Sequence, residues 1–185
     1  MVSLFATATT VCGFILLVQI SQATLTLEFD EDFRDCDNGL PMPGFDASEL
    51  QVIPQDDGSV TMNGTIKFTK DYASPTRMKL HSKRLQQGEW KPGMFSREIR
   101  DLCPVMQMPT ELWYPFTRIL QQKTCPYRAG HEEHINNVNV ENVAAKFNVP
   151  PDFLGEWRVY HEFTTTRQGS SVKECLMVPV TVFEV

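Results

Sequence analysis

The sequence predicts an antiparallel β-sandwich, and three observations carry that prediction. Apolar and polar residues alternate with a period of two over most of the chain. About seven such segments are short and separated by Gly, Pro, Asn and Asp turn signals. One segment alone has helical periodicity, and nothing repeats at the spacing of a solenoid or collagen.

The clearest strand runs from Val60 to Phe68. Val60, Met62, Ile66 and Phe68 alternate with Thr61, Asn63, Thr65, Lys67 and Thr69, giving one buried and one wet face. After the turn-forming Asp71-Tyr72-Ala73-Ser74-Pro75, alternation resumes with Met78 and Leu80 opposite Arg77, Lys79 and Lys83, which predicts a hairpin. Leu25-Leu27-Phe29, Leu50 to Ile53, Val138-Val140 and Trp157-Val159-His161-Phe163 are further strands. Val172 to Phe183 is apolar on both parities, as a central strand would be, although Pro179 argues for an edge or a bulge.

Thr110 to Gln122 breaks the pattern. Leu112, Phe116, Ile119 and Leu120 fall at helical spacing, Thr110 is a candidate N-cap, and Pro115 fits near a first turn. The expectation is one short helix between Cys103 and Cys125.

Val11 to Ile20 is the longest apolar run. It is too short for a membrane span, which needs roughly 20 residues, and Ser21-Gln22-Ala23 follows it with small residues at cleavage-site positions. Residues 1–23 therefore read as a signal peptide, though without the usual basic n-region. Removal takes Cys12 away and leaves residues 24–185 as one secreted, extracellular domain. Its cysteines are Cys36, Cys103, Cys125 and Cys175. Four cysteines in an exported chain imply disulfides, with three connectivities open. Asn63-Gly64-Thr65 is a glycosylation sequon on the wet face of its strand.

The net charge of −6 disfavours nucleic acid and anionic membrane surfaces as partners. Searching for chemistry yields little. There is no G-x-S-x-G elbow, phosphate-binding loop or dinucleotide fingerprint, and no carboxylate pair stands out. His131-Glu132-Glu133-His134 lacks the helical zinc spacing and reads as a solvated loop, and His161 as a hydrogen-bonded boundary residue. The expectation is a protein that is not an enzyme and uses no metal or cofactor. Gly88-Glu89-Trp90 and Gly155-Glu156-Trp157 lie too far into the chain for a lipocalin first strand; each reads as a turn glycine before a strand tryptophan.

Trp90-Lys91-Pro92, Leu102-Cys103-Pro104, Cys125-Pro126-Tyr127, Pro150-Pro151-Asp152-Phe153, Gly155-Glu156-Trp157-Arg158-Val159 and Cys175 occur in an order and spacing that resembles the ML lipid-recognition superfamily. The nearer likeness is to its insect branch, which is similar to ganglioside-activator proteins and includes chemosensory members. The likeness covers about Leu85 to Val180. It implies an immunoglobulin-like sandwich splayed open around a lipid, with Cys36 paired to Cys175 and Cys103 to Cys125. A third bridge common in that superfamily is missing, which leaves Asp37 to Asp46 less constrained. In the chain-entropy view the short loop contributes about 3 kcal/mol and the long one about 5 kcal/mol.

The functional expectation is a non-enzymatic carrier holding a lipid or small hydrophobic ligand between its sheets, in chemosensation or lipid transfer. Its partner would be a membrane receptor or a lipid-processing protein. The ligand-binding candidates are Met62, Phe68, Met78, Leu80, Phe95 and Phe163, with Leu112, Trp113, Phe116 and Leu120 on the helical segment as a lid, Trp113 and Phe116 at the mouth. Of eight methionines, six fall between Met42 and Met108, which suits an adaptable wall. The alternative is a secreted interaction module with a filled core that recognises a protein through loops or an edge strand.

Overall fold

The period-two alternation folds into nine strands among the described residues, 25–29 and 34–184, of a computed structural model. They are β1 (Leu25–Phe29), β2 (Phe45–Asp46), β3 (Gln51–Pro54), β4 (Val60–Phe68), β5 (Arg77–Gln86), β6 (Glu89–Ile99), β7 (Glu132–Val140), β8 (Gly155–Arg167) and β9 (Ser170–Glu184). The signal peptide expected at residues 1–23 and Cys12 lie outside the described residues.

One sheet has the order β1-β9-β8-β5-β6. In the other, β4 is central: β7 pairs along nearly its whole length, and β2 and β3 pair with its two ends. All pairings are antiparallel, so the molecule is an all-β two-sheet sandwich with only short helices.

The hairpin expected between β4 and β5 does not form, because the two strands belong to different sheets. Their connector is held open by paired backbone bonds between Tyr72 and Tyr127, 2.8 and 2.9 Å, and carries the chain from one sheet to the other. The tight hairpins are β5–β6 and β8–β9. Gln87-Gly88 has φ of 54° and 81° and Gln168-Gly169 has 51° and 76°. Positive φ at both central positions is what a type I′ turn requires. Both G-x-W triplets thus follow the turn-then-strand reading, with Trp90 in β6 and Trp157 in β8.

Pro179 sits inside β9, which β1 and β8 flank. Cys175 and Met177 direct their N–H groups to the β1 side, onto Pro41 and Arg34. By the alternation of an antiparallel ladder, Pro179 lacks its N–H on that same side, between the Arg34 bridge and the β1 pairing that begins at Val180. The missing donor therefore breaks no ladder bond among the described residues.

The helix is shorter than its periodicity suggests. Only Tyr114–Thr117 (α1) is α-helical, with Pro115 in its first turn. Gln107 Nε2 donates to the Thr117 carbonyl (2.8 Å) and Thr117 Oγ1 to the Met106 carbonyl (2.6 Å), which folds the flanking residues into turns instead. A second short helix, Val143–Lys146 (α2), was not anticipated; the Asn142 side chain caps it by accepting from the Ala145 N–H at 3.0 Å.

The reading of His131 to His134 as a solvated loop is also corrected: Glu132 to His134 open β7, and Glu133 is fully buried. Its carboxylate accepts from His131 Nε2 (2.6 Å), from the Gln122 N–H (3.0 Å) and from the Gln121 N–H. A carboxylate with three donors can be buried without isolation, so a polar sequence conceals a structural strand.

Both disulfides form, Cys36–Cys175 and Cys103–Cys125, with Cα separations of 5.8 and 5.6 Å. No helix among the described residues is long and apolar enough to cross a membrane.

Candidate functional site

The inward side chains of the two sheets meet in places, Phe45 of β2 against the Leu176–Val178–Val180 cluster of β9 and Phe29 of β1 against the cluster of Val60 and Met62, but they do not fill the space between. They enclose an apolar cavity of about 1650 Å³, larger than the roughly 300–1,000 Å³ of ordinary small-molecule pockets. Even-numbered residues of β9, Leu176 to Val182, form one wall beside Val159, His161 and Phe163 of β8 and Leu80 of β5. Met62, Ile66 and Phe68 of β4 and Ile135 of β7 form the facing wall. Residues from the Cys103–Cys125 segment and from α2 onward to Phe153 complete it.

Of the ten ligand-binding candidates, Met62, Phe68, Leu80, Phe95, Leu112, Trp113, Phe116, Leu120 and Phe163 line this cavity. Met78 does not. It is buried, facing Ile99 and Phe163 in register, where the Leu102 N–H bonds the Thr76 carbonyl (2.7 Å) and folds the following segment over the start of β5. The methionines divide similarly: Met42, Met62 and Met106 reach the cavity, whereas Met94 and Met108 are exposed.

The Cys103–Cys125 segment is fastened on several sides. Arg97 of β6 donates to Oε1 of buried Glu111 (2.7 Å) and lies in ion-pair contact with its Oε2 (2.6 Å), and its guanidinium lies over the Trp113 ring. Glu133 holds the backbone at Gln121 and Gln122. Phe116 reaches across the interior to Phe29 of β1, edge to face, with centroids 5.7 Å apart. Trp113 and Phe116 are thus part of a fastened wall. Among the described residues, the exposed part of the lining is Arg34, Asp46, Ser48, Gln51, Ile53 and Pro150, most of it along β2 and β3. Neither the Arg34 position nor the β2–β3 rim carries a sequence signal, because both depend on how the sheets are stacked.

Nearly every polar side chain of the deeper wall is satisfied by the protein itself. Ser82, Thr76 and Thr117 donate to the carbonyls of Phe95 (3.3 Å), Ala73 (2.7 Å) and Met106 (2.6 Å). Trp113, Trp157 and Tyr127 donate to those of Val105 (3.3 Å), Phe153 (2.6 Å) and Gln122 (2.5 Å). Burial pushes the Tyr127 phenol up to about 12. His161 is the exception: it sits in the wall with Nδ1 buried and unpartnered. Burial holds its imidazole down to about 4, which hydrogen bonding to the backbone of Leu176 and Val159 opposes only in part.

An ionic cluster lies beyond Phe163. Buried Glu174 receives Arg167 (2.7 and 3.0 Å), Lys70 (2.9 Å) and the Tyr72 hydroxyl (2.8 Å). Burial alone would raise its pKa, but these three donors outweigh it and hold the carboxyl below its ordinary value.

Asn63 lies at the register break between Met62 and Gly64, half-buried, and its side-chain oxygen accepts from the Asn137 N–H at 3.3 Å. His131 engages Glu133, whereas exposed His134 lies near Thr65 and Glu132, so the two imidazoles do not converge. No cluster of three or more potential metal ligands occurs among the described residues.

Fold and interior together define a class: an all-β sandwich built around a large, mostly apolar cavity. Neither protein-family models nor curated proteins give a match to the chain.

Proposed function

We propose that the protein is a secreted, non-enzymatic carrier that holds a lipid or other hydrophobic ligand between its sheets. One observation carries this reading: the cavity of about 1650 Å³ where a filled sandwich would interdigitate its side chains. Each buried ligand methylene contributes roughly 0.8 kcal/mol, so a long chain binds such a wall without many polar contacts. The volume suits more than one acyl chain or a bulky ring system. Two disulfides, nested as the ML resemblance implies, suit an oxidising extracellular setting. By that resemblance the protein acts in chemosensation or lipid transfer, delivering its ligand to a membrane receptor or a lipid-processing protein.

The test is native mass spectrometry of oxidised protein from a eukaryotic secretory host, followed by organic extraction. The expected result is an adduct of lipid mass that extraction removes. An unliganded mass, with no uptake from a mixed lipid pool, overturns the carrier reading.

A further inference from the structure

We infer that the ligand is an uncharged amphiphile whose hydroxyl or carbonyl group hydrogen-bonds to His161 in the cavity wall. This rests on the carrier reading and adds a chemical class to it.

His161 belongs to the middle of its sheet. Its register partners are Leu80 on β5 and Leu176 on β9, both buried and both lining the cavity. An imidazole among leucines, half-buried in the cavity wall and with Nδ1 unpaired, is an unusual arrangement, since buried polar atoms are nearly always paired. The neighbouring polar side chains are committed to backbone carbonyls, which leaves the half-buried His161 ring as the polar group of this wall open to a guest. Neutral imidazole has one donor and one acceptor nitrogen and so serves either a hydroxyl or a carbonyl.

The charges around the cavity say which guests are excluded. Arg34 and Asp46 are the charged side chains of the lining among the described residues; both are exposed at the rim, and Arg34 is itself engaged. Arg167 and Lys70, at the far end, are held by Glu174. A carboxylate or ammonium drawn to the depth of His161 would find no opposite charge, and an isolated buried charge is strongly disfavoured. Burial keeps the ring uncharged near neutral pH, consistent with the same preference.

The experiment offers the oxidised full-length protein a detergent-dispersed equimolar mixture of hexadecane, hexadecanol and hexadecanoate near neutral pH. Bound species are then counted by native mass spectrometry. Wild type is expected to enrich hexadecanol over hexadecane about tenfold, the usual weight of one hydrogen bond, and to take up little hexadecanoate. His161→Leu is expected to load hexadecanol and hexadecane equally, while His161→Gln, which can still bond, restores the enrichment. Equal loading of alcohol and alkane by wild type overturns the inference, as does enrichment that survives in His161→Leu or a preference for hexadecanoate. In each of those cases loaded protein leaves the carrier reading intact; loading of none of the three overturns both.

Discussion

Arg167 places two guanidinium nitrogens on the two carboxylate oxygens of Glu174, at 2.7 and 3.0 Å, across the β8–β9 hairpin. Glu174 is fully buried on the inward parity of β9, so the pair closes one end of the sandwich from inside. Lys70 and Tyr72, both from the β4–β5 connector, bond the same carboxylate and tie that connector to the five-stranded sheet.

Glu174→Gln is expected to cost about 3 kcal/mol, because it leaves Arg167 and Lys70 without their shared anion. The folded carboxyl titrates below the ordinary value of 4.5, so the wild type's advantage is full above that pH and is lost as pH falls through the folded value. Urea unfolding at neutral pH and again near pH 3 should show the difference between the two proteins shrinking. A constant difference would mean the carboxylate charge is not what stabilises this end.

His161 gives a second test by pH, of the same sign but in a higher window. An unfolded imidazole binds its proton below about 6.5, the folded one only below about 4. Stability should therefore decline as pH drops from 6.5 towards 4, by on the order of 3 kcal/mol. His161→Leu should lack that part of the slope in urea titrations across the window.

Filling the cavity separates an open interior from a packed one. Val178→Trp projects a large ring from the β9 wall into the open space. In a dense core such overpacking costs about 1–3 kcal/mol. Here thermal unfolding should move little, while lipid retained through extraction-controlled mass spectrometry falls.

The disulfides should differ in what they protect. Replacing Cys36 and Cys175 with Ser is expected to cost up to about 5 kcal/mol, against about 3 kcal/mol for Cys103 and Cys125. Losing the second pair frees the ends of the segment that carries Trp113 and Phe116, so ligand release should accelerate more than stability falls. Stopped-flow release of a bound fluorescent fatty alcohol measures this.

Strand parity made most of the wall legible in advance. Met62, Phe68, Leu80 and Phe163 are inward for the same reason in sequence and structure: the side-chain period of a strand is two. Parity says nothing about depth, and so Met78, on the same face as Leu80, is buried where the cavity has already closed. Nor does it reveal which strands share a sheet; β4 and β5 looked like neighbours because a Pro-containing turn joins them. Of β6 only the entry at Trp90 was legible, because Pro92-Gly93 and a register shift opposite it interrupt the alternation beyond. Glu133 was hidden by composition, since its burial depends on donors from Gln121 and Gln122, which only the folded chain brings near.

Neither disulfide joins a strand of one sheet to a strand of the other. Cys36–Cys175 fastens the stretch before β2 to β9, and Cys103–Cys125 closes a loop within the connection from β6 to β7. The gap between the sheets is consequently set by noncovalent contact and by what fills it. A change in that spacing would break neither disulfide, so the sheets could part or close around a filling of different girth with the covalent framework intact.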